Sequence, residues 1–174
     1  MATAVLPHVS IDEYLHSVYQ PDVDYVDGTL EERNLGEFDH ADLQSELVTF
    51  FRNRSEEWNI RTVVETRVQT TPTRFRIPDI CVMPLAWKRT QIIREAPMLC
   101  IEVLSPEDRM SNVLVRCREF NAMGMPEAWI LDPKKRIAHR VTATAVTELS
   151  NGALELAGTP ITLDLAALFA VLDR

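Results

Sequence analysis

Residues 98–104 constrain the fold of this chain more than any other segment. Their sequence, MLCIEVL, is apolar at every position except Glu102. Because a strand that is covered on both faces reads as a continuous apolar run, the segment predicts a central strand of a sheet with helices on both sides. An ionised carboxylate is costly in such a strand unless it is paired, hydrogen-bonded or bound to a metal ion. Glu102 is therefore a candidate functional residue.

A second acidic residue, Asp79, lies within residues 75–83, which are largely apolar and predict another strand. Two carboxylates on successive core strands can hold a hard divalent cation, since magnesium takes oxygen ligands from one or two carboxylates and from the phosphates of a substrate. The alternative is that arginine side chains or backbone N–H groups satisfy each carboxylate. The residues alone leave both interpretations open.

The N-terminal part of the chain predicts a helix and a hairpin. Ser10 followed by Glu13 is a capping-box pattern, which begins a short helix that ends near Tyr19. The dipeptide Asp27-Gly28 stands between two short runs of strand-forming residues, the pattern of a hairpin with a type I′ turn.

A long helix is expected next, with Asp39 as its cap and its end near Trp58, because apolar residues recur there at helical spacing. The other expected elements are strands over residues 60–69 and 127–131, edge strands or hairpins over residues 136–146 and 153–157, a helix over residues 108–123, and a helical or irregular end over residues 163–172. This order predicts one α/β domain over residues 1–174, with a mixed central sheet flanked by helices, an N-terminal hairpin and C-terminal strands.

Charge limits the classes of function that the chain can have. The net charge of −8 argues against a protein that coats nucleic acid through a generally basic surface. Positive charge is nevertheless concentrated in one stretch, where arginines are expected either to line a cleft that attracts phosphate or to balance nearby glutamates. These arginines are Arg52, Arg54, Arg61, Arg67, Arg74 and Arg76.

The cysteines indicate the compartment. Cys81, Cys100 and Cys117 show no paired ligand spacing, so buried reduced thiols in a cytoplasmic protein explain them better than disulfides or zinc. No run approaches the roughly 20 apolar residues that a membrane-spanning helix needs, so no membrane association is expected.

Three motifs together resemble a known family. They are Pro78 followed by Asp79, the segment EVLSP that begins at Glu102, and the segment GMPEAWILDP that begins at Gly124. This combination, over roughly residues 23–132, is similar to the Uma family of restriction-endonuclease-like proteins, a bacterial family of the PD-(D/E)XK nuclease superfamily. The hairpin and His40 match the N-terminal pattern of that family.

The resemblance implies a restriction-endonuclease-like core and a magnesium- or manganese-dependent endonuclease that hydrolyses DNA. Asp79 and Glu102 would hold the metal, with the carbonyl of Val103 as a further ligand. The metal would orient the scissile phosphate and activate the attacking water.

The chain departs from the family pattern at the catalytic lysine. Leu104 stands two residues beyond the glutamate, where the superfamily has lysine, and Arg116 stands where the Uma family places its lysine in the following helix. Asn112 stands where the family often has aspartate. Arginine stays charged and serves as a phosphate clamp rather than a proton relay, which puts the activity in doubt.

Two further residues are candidates for supporting roles. Glu65 is expected in mid-strand, either as a second acid near the metal or as an exposed partner of Arg67 or Arg76. His40 is expected in the first turn of the long helix, either pointing toward the site or packing near the cap.

Three interpretations compete. The first is the metal-dependent DNA endonuclease. The second is a degenerate nuclease fold that binds nucleic acid without cutting it, indicated by Leu104, Asn112 and Arg116. The third is a protein-interaction role through a homodimer, indicated by the acidic charge and the apolar residues 163–172. The sequence does not choose between DNA and RNA.

Overall fold

The structure, a computed structural model, describes residues 8–174, so the first seven residues of the predicted domain lie outside the described part. Its elements in chain order are α1 (Ile11–His16), β1 (Val23–Val26), β2 (Thr29–Glu32), α2 (Phe38–Arg52), β3 (Ile60–Val64), β4 (Val68–Thr71), β5 (Arg74–Arg76), β6 (Ile80–Pro84), β7 (Leu99–Val103), α3 (Met110–Ala122), β8 (Ala128–Asp132), β9 (Ile137–Val141), β10 (Val146–Leu149), β11 (Ala153–Glu155), β12 (Thr162–Asp164), α4 (Leu165–Phe169) and a final 3₁₀ turn (Ala170–Asp173).

A six-stranded mixed sheet forms the centre, in the order β10-β9-β8-β7-β6-β3. Strands β7 and β8 are parallel and are joined by α3, while the other neighbours in this sheet pair antiparallel. Strand β7 is buried at every position, as the apolar run of the sequence predicts. Helix α3 buries Val113, Cys117 and Phe120, which confirms the expected apolar face of that helix.

A smaller four-stranded sheet, in the order β2-β1-β5-β4, contains the predicted hairpin. Asp27 and Gly28 both have positive φ, at 50° and 94°, as a type I′ turn requires. The Ser10 hydroxyl accepts a hydrogen bond from the Glu13 backbone N–H at 3.1 Å, so the predicted cap is confirmed. The helix that it begins ends at His16 rather than near Tyr19.

The predicted limits of the long helix are wrong at both ends. Helix α2 begins at Phe38 and leaves Glu37, not Asp39, at the cap position. Asp39 instead lies in the first turn, where its negative charge favours the positive end of the helix dipole. The helix ends at Arg52, and the residues after it form turns that lead into β3. Trp58 therefore lies outside the helix, but its side chain is buried in the core.

Two segments predicted as single strands are each divided between the sheets. Residues 60–69 form β3 in the large sheet and β4 in the small one, and the break lies at Glu65, which has a φ of 46°. Residues 75–83 form β5 and β6, and Pro78 and Asp79 lie between them. Asp79 is therefore not inside a strand but directly before β6. Proline lacks the N–H that a continuous strand would use, which favours a break at this point.

The C-terminal residues complete the core on the α2 side of the large sheet. The apolar residues 163–172 form the end of β12, α4 and the 3₁₀ turn, and Leu165, Leu168 and Phe169 are buried against the same cluster as Leu47 of α2. This tail therefore packs within its own chain and gives no support to the predicted homodimer.

The three cysteines are free and buried, as predicted. Burial raises the pKa of the Cys100 and Cys117 thiols well above the ordinary range. Within residues 8–174, no helix has the length and hydropathy needed to cross a bilayer.

Candidate active site

The site lies where β6 begins and β7 ends. The antiparallel register of these strands pairs Ile80 with Ile101, and one further step along it sets Asp79 opposite Glu102. The two side chains are only 4% and 2% exposed. The sheet thus brings together the two carboxylates that the sequence singled out.

The Asp79 carboxylate is surrounded by donors. Its Oδ1 accepts a hydrogen bond from Arg33 at 2.6 Å, and its Oδ2 accepts one from the Val103 backbone N–H at 2.7 Å. The ring Nε2 of His40 lies 3.3 Å from the same Oδ2. On the backbone, the Gln44 amide donates to the Asp79 carbonyl at 3.1 Å.

These contacts determine the charges of Asp79 and His40. Burial would raise the pKa of Asp79, but the His40 hydrogen bond and the Arg33 charge outweigh it, so that the pKa lies below its usual value. Burial would lower the pKa of His40, but the hydrogen bond and charge of Asp79 outweigh it and raise that pKa. Asp79 is therefore ionised at neutral pH.

Glu102 has a different environment. Its Oε2 accepts a hydrogen bond from Arg116 at 2.9 Å, whereas its Oε1 is buried and has no partner within residues 8–174. Burial, reinforced by the charge of Asp79 and opposed by Arg116, raises the pKa of Glu102 to about 7. Burial would lower the pKa of Arg116, but the Glu102 charge outweighs it and raises that pKa, so the guanidinium stays charged.

The unpartnered Glu102 oxygen bears on whether a divalent cation fits here. A buried carboxylate oxygen without a donor is costly, and a cation would satisfy it. No group of three or more His, Cys, Asp and Glu side chains with metal-binding geometry occurs in the described part of the chain. Magnesium does not require one, because it takes one or two carboxylates and fills its other positions with water and phosphate oxygens. The donor set therefore fits such an ion.

The predicted supporting residues have different positions. His40 points to the site through its contact with Asp79. Glu65 lies beside Asp79 only through its backbone N–H, which donates to the Asp79 carbonyl at 3.3 Å, and its side chain is exposed. Within the described residues it pairs with neither Arg67 nor Arg76. Asn112 is exposed on α3, one helical turn before Arg116.

Two residues of the site were not predicted from the sequence. Arg33, which binds Asp79, is the one lysine or arginine between Ser10 and Asp39, and that isolation is the one signal that the sequence offers. Gln44 follows His40 by four residues on α2, so the helical period sets both on one face.

An open cleft of about 550 Å³ borders the site. His40, Ser105, Asp108 and Lys134 are among the residues that line it. The Asp108 carboxylate is held by two hydrogen bonds: one oxygen accepts from the Ser105 backbone N–H at 2.7 Å and the other from Asn34 at 3.0 Å. The cleft meets the site at His40, whose ring lies 3.3 Å from the Asp79 carboxylate.

Comparison with known proteins agrees with this architecture. The family model described as Uma2, putative restriction endonuclease, matches residues 11–167. A crystal structure described as a putative nuclease belonging to DUF820, from Anabaena variabilis, superposes with a TM-score of 0.83 at 21% sequence identity, covering 94% of this chain and 99% of that one. At this identity the likeness shows a common fold, and the description of the matching family identifies that fold as restriction-endonuclease-like. No curated protein sequence matches the chain.

Proposed function

Because the chain belongs to the Uma2 family of restriction-endonuclease-like nucleases, we propose that it is a metal-dependent endonuclease that hydrolyses phosphodiester bonds in DNA. The observation that carries the proposal is the buried pair of Asp79, directly before β6, and Glu102 on the neighbouring strand β7, with Glu102 Oε1 left without a partner among the described residues. A structural ion pair alone does not account for that oxygen.

In this proposal the Asp79 and Glu102 carboxylates and the Val103 carbonyl hold a magnesium or manganese ion. When bound, the ion supplies Lewis acidity toward the scissile phosphate and lowers the pKa of a water molecule. The Val103 N–H already fixes the Asp79 carboxylate at 2.7 Å, so the strand end orients one ligand before any ion arrives.

Arg116 and Arg33 are proposed to neutralise the phosphate. Each guanidinium lies on one of the two carboxylates, at 2.9 Å from Glu102 and 2.6 Å from Asp79, and each remains partly accessible at 15% and 14% exposure. A planar guanidinium matches phosphate oxygens with two parallel hydrogen bonds. Since arginine does not release its proton near neutral pH, the role proposed for Arg116 is to bind the phosphate rather than to transfer a proton.

A second function, nucleic-acid binding without cleavage, is favoured by the same arginines. Two guanidiniums supply the positive charge that the carboxylates need in the absence of a cation. If the ion pairs do not open, the chain is a degenerate nuclease that only binds nucleic acid.

The deciding experiment incubates supercoiled plasmid DNA with the purified chain in 5–10 mM Mg²⁺ or Mn²⁺ and follows nicking on a gel. Asp79→Ala and Glu102→Gln should abolish cleavage, because each removes a proposed ligand. Glu155→Gln is the matched control, since Glu155 is exposed and lies on β11. An RNA of the same sequence identifies the substrate class. Cleavage that survives Asp79→Ala, or wild-type protein that cuts under neither metal, would overturn the proposal.

A further inference from the structure

A second cleft runs along β3, the edge strand of the large sheet. Its volume is about 600 Å³, and its walls come from the end of α2, from β3 and from the connection between β6 and β7. Arg52, Arg61 and Arg89 line it, together with the Trp87 ring. The six arginines noted in the sequence thus do not share one cleft: Arg52 and Arg61 do, and Arg89 joins them from outside that stretch.

The charge of this cleft is unbalanced. No acidic residue lines it, although acidic residues outnumber basic ones by 26 to 18 over the whole chain. Among residues 8–174, none of the three arginines forms an ion pair or a side-chain hydrogen bond, whereas Arg74 and Arg76 each bind acidic partners. Three uncompensated guanidiniums around one concave surface produce a positive potential there.

Two buried polar atoms of β3 also lack partners. Thr62 is 4% exposed, and its hydroxyl has no hydrogen bond within the described residues. The Nε of Arg61 is buried and likewise has none. Because adjacent strand residues point to opposite faces of the sheet, one ligand cannot satisfy both atoms, and the Arg61 guanidinium is the one that shares the cleft with the other two arginines.

The position of β3 connects this cleft to the carboxylates. Strand β3 pairs antiparallel with β6, and its last residue, Val64, lies opposite Ile80, next to Asp79. Five residues of strand span about 17 Å. A ligand lying along the whole edge would therefore reach the neighbourhood of the candidate active site.

We propose that the β3 cleft binds the phosphate backbone of a single nucleic-acid strand, with Arg52, Arg61 and Arg89 on the phosphates and the Trp87 ring beside a base. Phosphate supplies the acceptor oxygens that the three arginines lack among residues 8–174, and guanidiniums bind phosphate in a bidentate manner. The Trp87 indole is held by its hydrogen bond to Glu95 at 2.9 Å, and aromatic rings stack on bases of any sequence. The inference deepens the proposed function, because it names the path by which a strand reaches the carboxylates.

The test measures the binding of a fluorescein-labelled 20-nucleotide DNA strand by anisotropy, in EDTA so that cleavage cannot occur. The variant R61Q/R89Q is compared with R118Q/R174Q, which removes the same charge from exposed arginines without ion pairs in the described part of the chain. The cleft variant should bind about tenfold more weakly than wild type at 0.1 M salt. Its slope of log K against log salt should be smaller by about 1.4, since each lost phosphate contact on a single strand removes about 0.7. The control pair should match wild type in both quantities.

The outcomes separate this inference from the catalytic proposal. Equal weakening in the two double variants would show general charge attraction and overturn the inference, as would unchanged binding by R61Q/R89Q. Wild-type protein that cuts plasmid while R61Q/R89Q binds normally would leave the nuclease proposal standing and remove the cleft. Wild-type protein that never cuts, together with weakened binding by R61Q/R89Q, would support the cleft and overturn the nuclease proposal. A thermal melt of each variant excludes misfolding as the cause.

Discussion

The raised pKa of Glu102 predicts that the native carboxylate destabilises the protein at neutral pH. Because the folded-state pKa of about 7 exceeds the ordinary value of 4.5, the folded chain binds more protons than the unfolded chain between these pH values. The stability that protonated Glu102 contributes is fully present below pH 4.5 and is lost as the pH rises through 7. At about 1.4 kcal/mol per pH unit, the loss comes to about 3 kcal/mol.

Glu102→Gln removes that loss, since the amide is neutral at every pH and nearly the same size as the carboxyl group. The variant should unfold with a free energy about 3 kcal/mol higher than wild type at pH 8 and nearly equal to it at pH 4.5. Arg116 lacks a counterion both in the variant and in wild type with protonated Glu102. The free-energy cost of leaving Arg116 unpaired is therefore the same in these two proteins.

Urea unfolding of both proteins at half-unit steps from pH 4.5 to 8, with EDTA present, measures the difference directly. Other titrating groups contribute to both curves and cancel. Glu155→Gln, at an exposed position, is the control for the loss of a carboxylate that is not buried. Parallel curves for wild type and Glu102→Gln over the whole range would refute the reasoning, because they would mean that Glu102 is ionised throughout.

Two further predictions concern arginines. Arg116→Ala should lower metal-dependent cleavage about 10- to 100-fold, because a charged contact to phosphate is lost. Arg116→Lys should keep or raise the rate, because lysine can also transfer a proton. An unchanged rate for Arg116→Ala in the plasmid assay would mean that Arg116 has no catalytic role. Arg76→Met should destabilise the fold by about 3–5 kcal/mol in urea unfolding. The Asp24 carboxylate is only 2% exposed, and the substitution removes the arginine that pairs with it at 3.1 Å. The control is Arg74→Gln, whose pair with Asp27 is more exposed and therefore contributes less to stability. An equal loss in both variants would contradict the argument.

The parts of the fold that could be predicted are those in which a local pattern decides the structure. The apolar run around Glu102 determines a buried strand, and Asp27-Gly28 determines a turn, because in each case neighbouring residues carry the whole signal. At Glu65 and at Pro78 the chain passes from one sheet to the other, and residues typical of strands stand on both sides of each break. Periodicity therefore could not show it, although the proline gave a partial signal.

The residues of the site likewise include some that could be predicted from the sequence and some that could not. Asp79, Glu102 and Arg116 could be singled out from apolar neighbours, from the resemblance and from helical spacing. Arg33 could not, because it is 46 residues from Asp79 in sequence and nothing in its own segment indicates that contact. Gln44 is likewise 35 residues away and binds a backbone carbonyl, which carries no side-chain signal at all.

The two arginines found on the carboxylates reconcile the interpretations that the sequence left open. Asp79 has its oxygens satisfied by Arg33, His40 and Val103, as the structural interpretation required, whereas Glu102 keeps one buried oxygen free. Two guanidiniums carry the same total charge as one divalent cation. A cation that binds this pair must therefore compete with arginine for the carboxylates, and each guanidinium that it displaces is left beside the position where a phosphate would bind. The chemistry of the site thus depends on whether these ion pairs can open, and the exposure of Arg33 and Arg116, at 14% and 15%, gives both side chains access to solvent.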